Sequence, residues 1–106
     1  MGHPRMRPNR LAEKLLYIRN ALGLSQSELY RRLGVEDLIP YTRISRYELD
    51  ELEPPLPILL RYARIAGIHM EDIVDDELDL PAKLPGDVSY HGLKRKSKSP
   101  KRKAVG

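Results

Sequence analysis

Leu11, Leu15, Ile18 and Leu22 recur at i, i+4, i+7 and i+11, the spacing of an apolar stripe along one side of a helix. Asn9 stands where an N-cap would, and Gly23 where a left-handed residue would close the C-terminus. Ser25 is followed by Glu28 at capping-box spacing, with Leu24 and Leu29 at the staple positions. A second helix is therefore predicted from about Gln26 to Leu33, stopped by Gly34. Pro40 disfavours helical geometry at Ile39 but is tolerated in a first turn, which puts the start of a third helix near Pro40. That helix runs through Ile44, Tyr47 and Glu48 to about Glu51, ahead of Pro54 and Pro55. Pro57 opens a fourth helix with an apolar face of Leu59, Leu60, Ala63 and Ala66 and an end at Gly67; a short fifth covers about Met70 to Val74. The chain shows no strand-like alternation of useful length and no internal repeat, so the fold class is all-α.

Outside the helical pattern the composition changes. Residues 1–9 carry two prolines, Arg5 and Arg7 and no periodicity, and read as a flexible basic arm. Residues 10–75 form the domain, and 76–93 an acidic, proline-containing extension. Residues 94–106, rich in Lys, Arg, Ser and Pro, are predicted to form a disordered basic tail, because they hold too little apolar surface to fold. The net charge of +4 depends on this division. Seven of the 19 basic residues lie between Lys94 and Lys103, leaving 12 basic against 15 acidic elsewhere. The run suits contact with nucleic-acid phosphate, and also fits a nuclear-import signal, an anionic membrane surface or a solubilising role.

The residue inventory narrows the chemistry. With 106 residues there is room for one small domain, and with no Trp or Phe its core must rest mainly on Leu, Ile and Val. The lack of cysteine removes disulfides and thiolate zinc sites. His3, His69 and His91 are scattered with no second ligand at metal-site spacing. Glu71, Asp72, Asp75, Asp76, Glu77 and Asp79 lack the glycine and ligand spacing of a calcium loop, and read as a solvated acidic face. No nucleophile–base pair, phosphate loop or metal constellation is present, so neither an enzyme nor a cofactor or metal is expected. No apolar run approaches the roughly 20 residues of a membrane span, and the start has no long apolar segment, which predicts a soluble cytoplasmic protein without membrane contact.

Leu24-Ser25-Gln26, Glu28-Leu29, Leu33-Gly34-Val35 and Ile44-Ser45-Arg46-Tyr47-Glu48, in this order, resemble the Cro/phage-repressor-like helix-turn-helix family, also called the XRE family. The resemblance covers about Arg10 to Val74 and takes in Pro54, Leu56, Leu59-Leu60, Ala63, Ala66-Gly67 and Asp72-Ile73. It implies a five-helix, lambda-repressor-like DNA-binding domain whose third helix enters the major groove, and hence a transcriptional regulator, a repressor, binding double-stranded DNA as a homodimer. Tyr41, Thr42, Ser45 and Arg46 then face the groove, with Arg46 able to fork onto guanine and Thr42 onto a thymine methyl or a polar edge. Gln26 matches a position that contacts the DNA backbone, and Arg43 and Arg10 are candidate phosphate clamps, as are Lys94, Arg95 and Lys96 in the tail. The DNA-bound protein would sit on the nucleoid.

Three features depart from the family pattern. The connection from Gly34 to Ile44 is longer by about four residues, roughly one helical turn. Tyr30 replaces a small residue, usually alanine, and Asp50, Glu51 and Glu53 follow the third helix where glycine and basic residues are common. Acids there repel phosphate, which leaves a second reading open: an antitoxin-like or adaptor module whose helical core and acidic Glu71 to Asp79 segment grip a protein partner. For Arg46 the bland alternative is an intrahelical pair with Asp50 at i, i+4.

Overall fold

A computed structural model describes residues 8–86. They form five helices in the order α1 (Leu11–Ala21), α2 (Gln26–Leu33), α3 (Thr42–Glu48), α4 (Leu56–Ala66) and α5 (Met70–Val74), with no strand among the described residues. None of these helices is long and apolar enough to cross a membrane. Residues 1–7 and 87–106, including the tail cations Lys94, Arg95 and Lys96, lie outside the described residues.

The α1 stripe is buried as its spacing predicts, against Leu29 and Leu33 of α2, Ile44 and Tyr47 of α3, and Ile73 of α5 in one core cluster. The α2 capping box forms in both directions: Ser25 Oγ accepts from the Glu28 N–H at 3.1 Å, and Glu28 Oε1 from the Ser25 N–H at 2.8 Å. Helix α4 starts at Leu56 with Pro57 in its first turn. Its core face is Ile58, Leu59, Tyr62, Ala63 and Ala66, so Leu60 turns outward instead of joining the apolar face assigned to it.

Helix α3 is shorter than its sequence pattern suggests, for two physical reasons. At the start, the first bonds run i→i−3, from the Arg43 N–H to the Pro40 carbonyl at 3.0 Å and from the Ile44 N–H to the Tyr41 carbonyl at 3.2 Å, and regular helix begins at Thr42. At the end, Asp50 takes a left-handed backbone with φ of 62°, and the chain folds back through Glu51 N–H to Arg46 O at 2.9 Å and Asp50 N–H to Tyr47 O at 3.2 Å. This paired closure is a Schellman motif with an aspartate in the place glycine usually holds, and it ends the helix three residues before Glu51.

Asn9 is not the residue that satisfies the first amides of α1. Arg10 is the N-cap, without a side-chain cap of its own, and the carboxylate of Asp76 accepts both the Asn9 N–H at 2.8 Å and the Arg10 N–H at 3.0 Å. The reverse tie comes from Lys14, whose ammonium is buried on α1 and donates to the carbonyls of Asp72 and Asp75 at 2.8 Å each. It thereby satisfies the Asp72 carbonyl left open in the last turn of α5 and adds a second donor to the Asp75 carbonyl, which also accepts from the Leu78 N–H at 3.0 Å. Residues 75–86 then continue as a strap over α1 and α4. The Tyr17 hydroxyl is shared between the carbonyls of Pro81 (2.7 Å) and Ala82 (3.0 Å), and Leu84 is buried in the core. Gly86 lies so close to the end of α4 that a Cβ there would stand 2.0 Å from the Ile65 carbonyl oxygen. Residues 76–86, set apart from the domain on composition, thus pack as part of it.

Two stability predictions follow from these end contacts. Lys14→Met keeps the aliphatic stem but takes the donor from the Asp72 carbonyl and leaves the Asp75 carbonyl with the Leu78 N–H alone; thermal melting should show a loss of about 1–3 kcal/mol. Backbone hydrogen bonds hold the Glu28 and Asp76 carboxyls below their ordinary values of 4.5 and 3.8. Their contribution is complete above those values and is lost as pH falls through the lower folded-state ones. Glu28→Gln retains an acceptor for the Ser25 N–H without titrating, so its melting temperature should fall less steeply than that of the parent chain between pH 5 and 3; an equal slope would remove Glu28 from the acid transition.

Candidate nucleic-acid interface

Helix α3 has two sharply different sides. Ile44 and Tyr47 are buried at 0% and 1% exposure, while Tyr41, Thr42 and Arg46 are exposed and Arg43 and Ser45 are partly so. The i, i+3 spacing of the two buried residues fixes the rotation of the helix about its axis and turns Thr42 and Arg46 outward together. The Arg46 guanidinium meets Glu51 at 3.2 Å, five residues on, with both side chains about half exposed. Asp50, the i, i+4 position of the bland alternative, is in left-handed backbone at the Schellman closure.

The position of α3 relative to its neighbours is set by a polar knot. Glu48 accepts from Arg19 Nε at 2.7 Å and Nη2 at 3.1 Å, a two-pronged ion pair, and from Gln26 Nε2 at 3.0 Å. Arg19 also donates through Nη1 to the Leu24 carbonyl at 3.0 Å. The knot therefore joins the last turn of α1, the α1–α2 connection, the first residue of α2 and the last residue of α3. The side chains of Glu48 and Arg19 are only 5% and 17% exposed, so the pair sits largely out of water. The hydrogen bond to Glu48 raises the Arg19 pKa further above its ordinary range. Nearby, burial lifts the Tyr62 phenol well above its usual value, with the Glu48 charge as the second cause.

Gln26 is thus brought to the same end of the molecule as α3, with one amide hydrogen committed to Glu48. Arg10 is not. Its guanidinium is engaged by the strap: Nη1 donates to the Asp76 carbonyl at 2.9 Å, Nη2 pairs with Asp79 at 2.8 Å, and Nε faces Glu13 at 3.4 Å. Asp79 is the chief cause of its raised pKa. Other members of the acidic stretch also have internal partners: Asp76 caps α1, Asp72 accepts from the His69 N–H at 3.1 Å, and Asp75 from the Glu77 N–H at 2.9 Å.

Sequence reasoning missed Arg19, Glu48 and Lys14 as structural polar groups. A signal was present: Arg19 is four residues after Leu15 and three before Leu22, and Glu48 is four after Ile44, so opposite charges sit on two core faces. Removing the acid should expose how much the knot carries. Glu48→Gln leaves a desolvated guanidinium without its counter-charge and is expected to cost about 3 kcal/mol in chemical denaturation. Arg19→Met combined with Glu48→Met should lose less than the two single changes added together. Strict additivity would show that the pair is not coupled.

No curated protein and no solved structure matches the chain. A family model described as helix-turn-helix does match, over residues 15–73, which is more than half of the chain. That span runs from the middle of α1 to the buried Ile73 of α5 and contains the whole knot and the two-sided α3. The chain belongs to the helix-turn-helix family of the Cro/repressor-like, XRE type, and is a DNA-binding protein.

Proposed function

We propose that this protein is a sequence-specific transcriptional repressor that lays α3 in the DNA major groove and grips a two-fold operator as a dimer. The observation that carries the reading is the two-sided α3, clamped at its end by Glu48 and offering Tyr41, Thr42 and Arg46 to solvent. Arg46 would fork onto guanine O6 and N7, with Thr42 and Ser45 reading neighbouring edges. To do so Arg46 leaves Glu51, which costs little because an exposed ion pair is worth about 0–1 kcal/mol. The second amide hydrogen of Gln26, not needed by Glu48, would take a backbone phosphate, and Arg43 another. Lys94, Arg95 and Lys96 would add phosphate contacts without sequence preference.

The α3–α4 connection supports dimerisation. Leu49 closes α3 and is 64% exposed; Leu56 begins α4 and is 68% exposed, with Leu60 one turn on. Three leucines fall short of the roughly 800 Å² per partner of a stable interface, so the second copy would be recruited mainly on DNA. The acids Asp50, Glu51 and Glu53 beside the same connection favour a second reading, in which a basic protein partner covers α3. A co-purifying protein that protects α3 in place of DNA would select it.

The test is selection of bound sequences from random duplexes, with and without residues 94–106. A two-fold motif with half-sites about one helical turn apart is expected. Arg46→Ala should cost about 1–3 kcal/mol and relax one base preference, whereas Glu51→Gln should strengthen binding by removing both a competitor for Arg46 and a repelling charge. Absence of any enriched motif, or an Arg46→Ala variant with unchanged affinity and preference, would overturn the proposal.

A further inference from the structure

The connection between α2 and α3 is an ordered turn held by Tyr30. The Val35 carbonyl accepts from the N–H groups of Leu38 (2.8 Å) and Ile39 (3.0 Å), so residues 35–39 wind once, anchored by the buried side chains of Val35 and Ile39. The Tyr30 hydroxyl donates to the Ile39 carbonyl at 2.6 Å, immediately before Pro40 fixes the backbone. The Tyr30 ring then meets Tyr41 edge to face, with centroids 5.6 Å apart and planes at 75°. Tyr41 caps α3 with helical backbone angles and remains 46% exposed. One side chain on α2 therefore holds both the path into α3 and the aromatic ring at its tip.

We infer that Tyr30 and Tyr41 act as one reading unit, in which Tyr41 packs its ring on the C5-methyl of a thymine and Tyr30 is the positioning residue that holds that ring in place. The inference rests on the major-groove docking proposed above. Its chemistry follows from what base edges offer: the thymine methyl is the apolar group in the major groove, the rest being donors and acceptors. An exposed ring at the leading end of the helix, tethered by a second ring and not by an ion pair, is suited to that methyl.

The experiment uses the full chain and the motif enriched from random DNA, with each thymine replaced in turn by deoxyuridine, which removes only the methyl. Affinity is read by fluorescence anisotropy at fixed salt. One thymine per half-site should lose about fourfold in affinity on replacement, the worth of a buried methyl. Tyr41→Ala should abolish that sensitivity and Tyr41→Phe should keep it, since packing needs the ring and a phosphate contact would need the hydroxyl. Tyr30→Phe, which loses the bond to Ile39, should cut the sensitivity below twofold while the guanine preference assigned to Arg46 stays unchanged. A purely structural role for Tyr30 would weaken all positions alike. The inference is overturned if no thymine responds in the parent chain, if the response survives Tyr41→Ala, or if Tyr30→Phe leaves it intact. The Tyr41 variants alter an exposed side chain and decide the methyl contact even if Tyr30→Phe melts below the assay temperature. Failure to enrich any motif is a different result, and counts against the proposed function first.

Discussion

A carboxylate with three donors on it fixes the working geometry of this protein. Glu48 receives both prongs of Arg19 and the amide of Gln26, and Arg19 in turn holds the Leu24 carbonyl. Apolar packing alone would let α2 and α3 slide, because leucine and isoleucine contacts are non-directional. Hydrogen bonds with fixed fork geometry do not slide in this way. The helix that presents Thr42 and Arg46 is thus aimed by a residue that takes no part in presenting them. Desolvation makes the arrangement costly to break, since a buried charge without its partner is worse than no charge at all.

The end contacts of α1 and α5 solve a different problem. A five-residue helix cannot stand alone in water, and α5 exists because its surroundings supply what its length does not. Lys14 on α1 donates to the carbonyls of Asp72 and Asp75 at the end of α5, and Asp76, just past that end, accepts the Asn9 and Arg10 amides that lead into α1. The acidic stretch that looks like a solvated face in the sequence is in good part a set of caps. The carboxylates of Asp72, Asp75, Asp76 and Asp79 have partners within the chain.

Most of the helical framework was legible because it rests on local rules. The α1 stripe, the Ser25–Glu28 box and the Met70–Val74 helix follow from spacing, and the structure repeats them. What was not legible depends on distant partners. Asp76 lies 66 residues from the Arg10 amide it accepts, and no pattern near Asn9 reveals that its capping role passes to another residue. The ends of α3 shifted inward from Pro40 and Glu51 because its first bonds run i→i−3 and because Asp50 accepted a backbone that favours glycine. For the candidate interface, the outward side of α3 could be read from the burial expected of Ile44, whereas the knot that aims it could not be read without placing α1 beside α3.

The long separation between Asp76 and the start of α1 also bears on how the chain assembles. Contacts 58 to 67 residues apart close only when almost the whole domain is present, whereas the Ser25–Glu28 box and the Tyr30–Ile39 bond span three and nine residues. Loop-closure entropy therefore delays the first and permits the second early. During synthesis the α2–α3 unit can take its shape while the front of α1 still has frayed amides, and the domain is sealed late, by a segment made after all five helices.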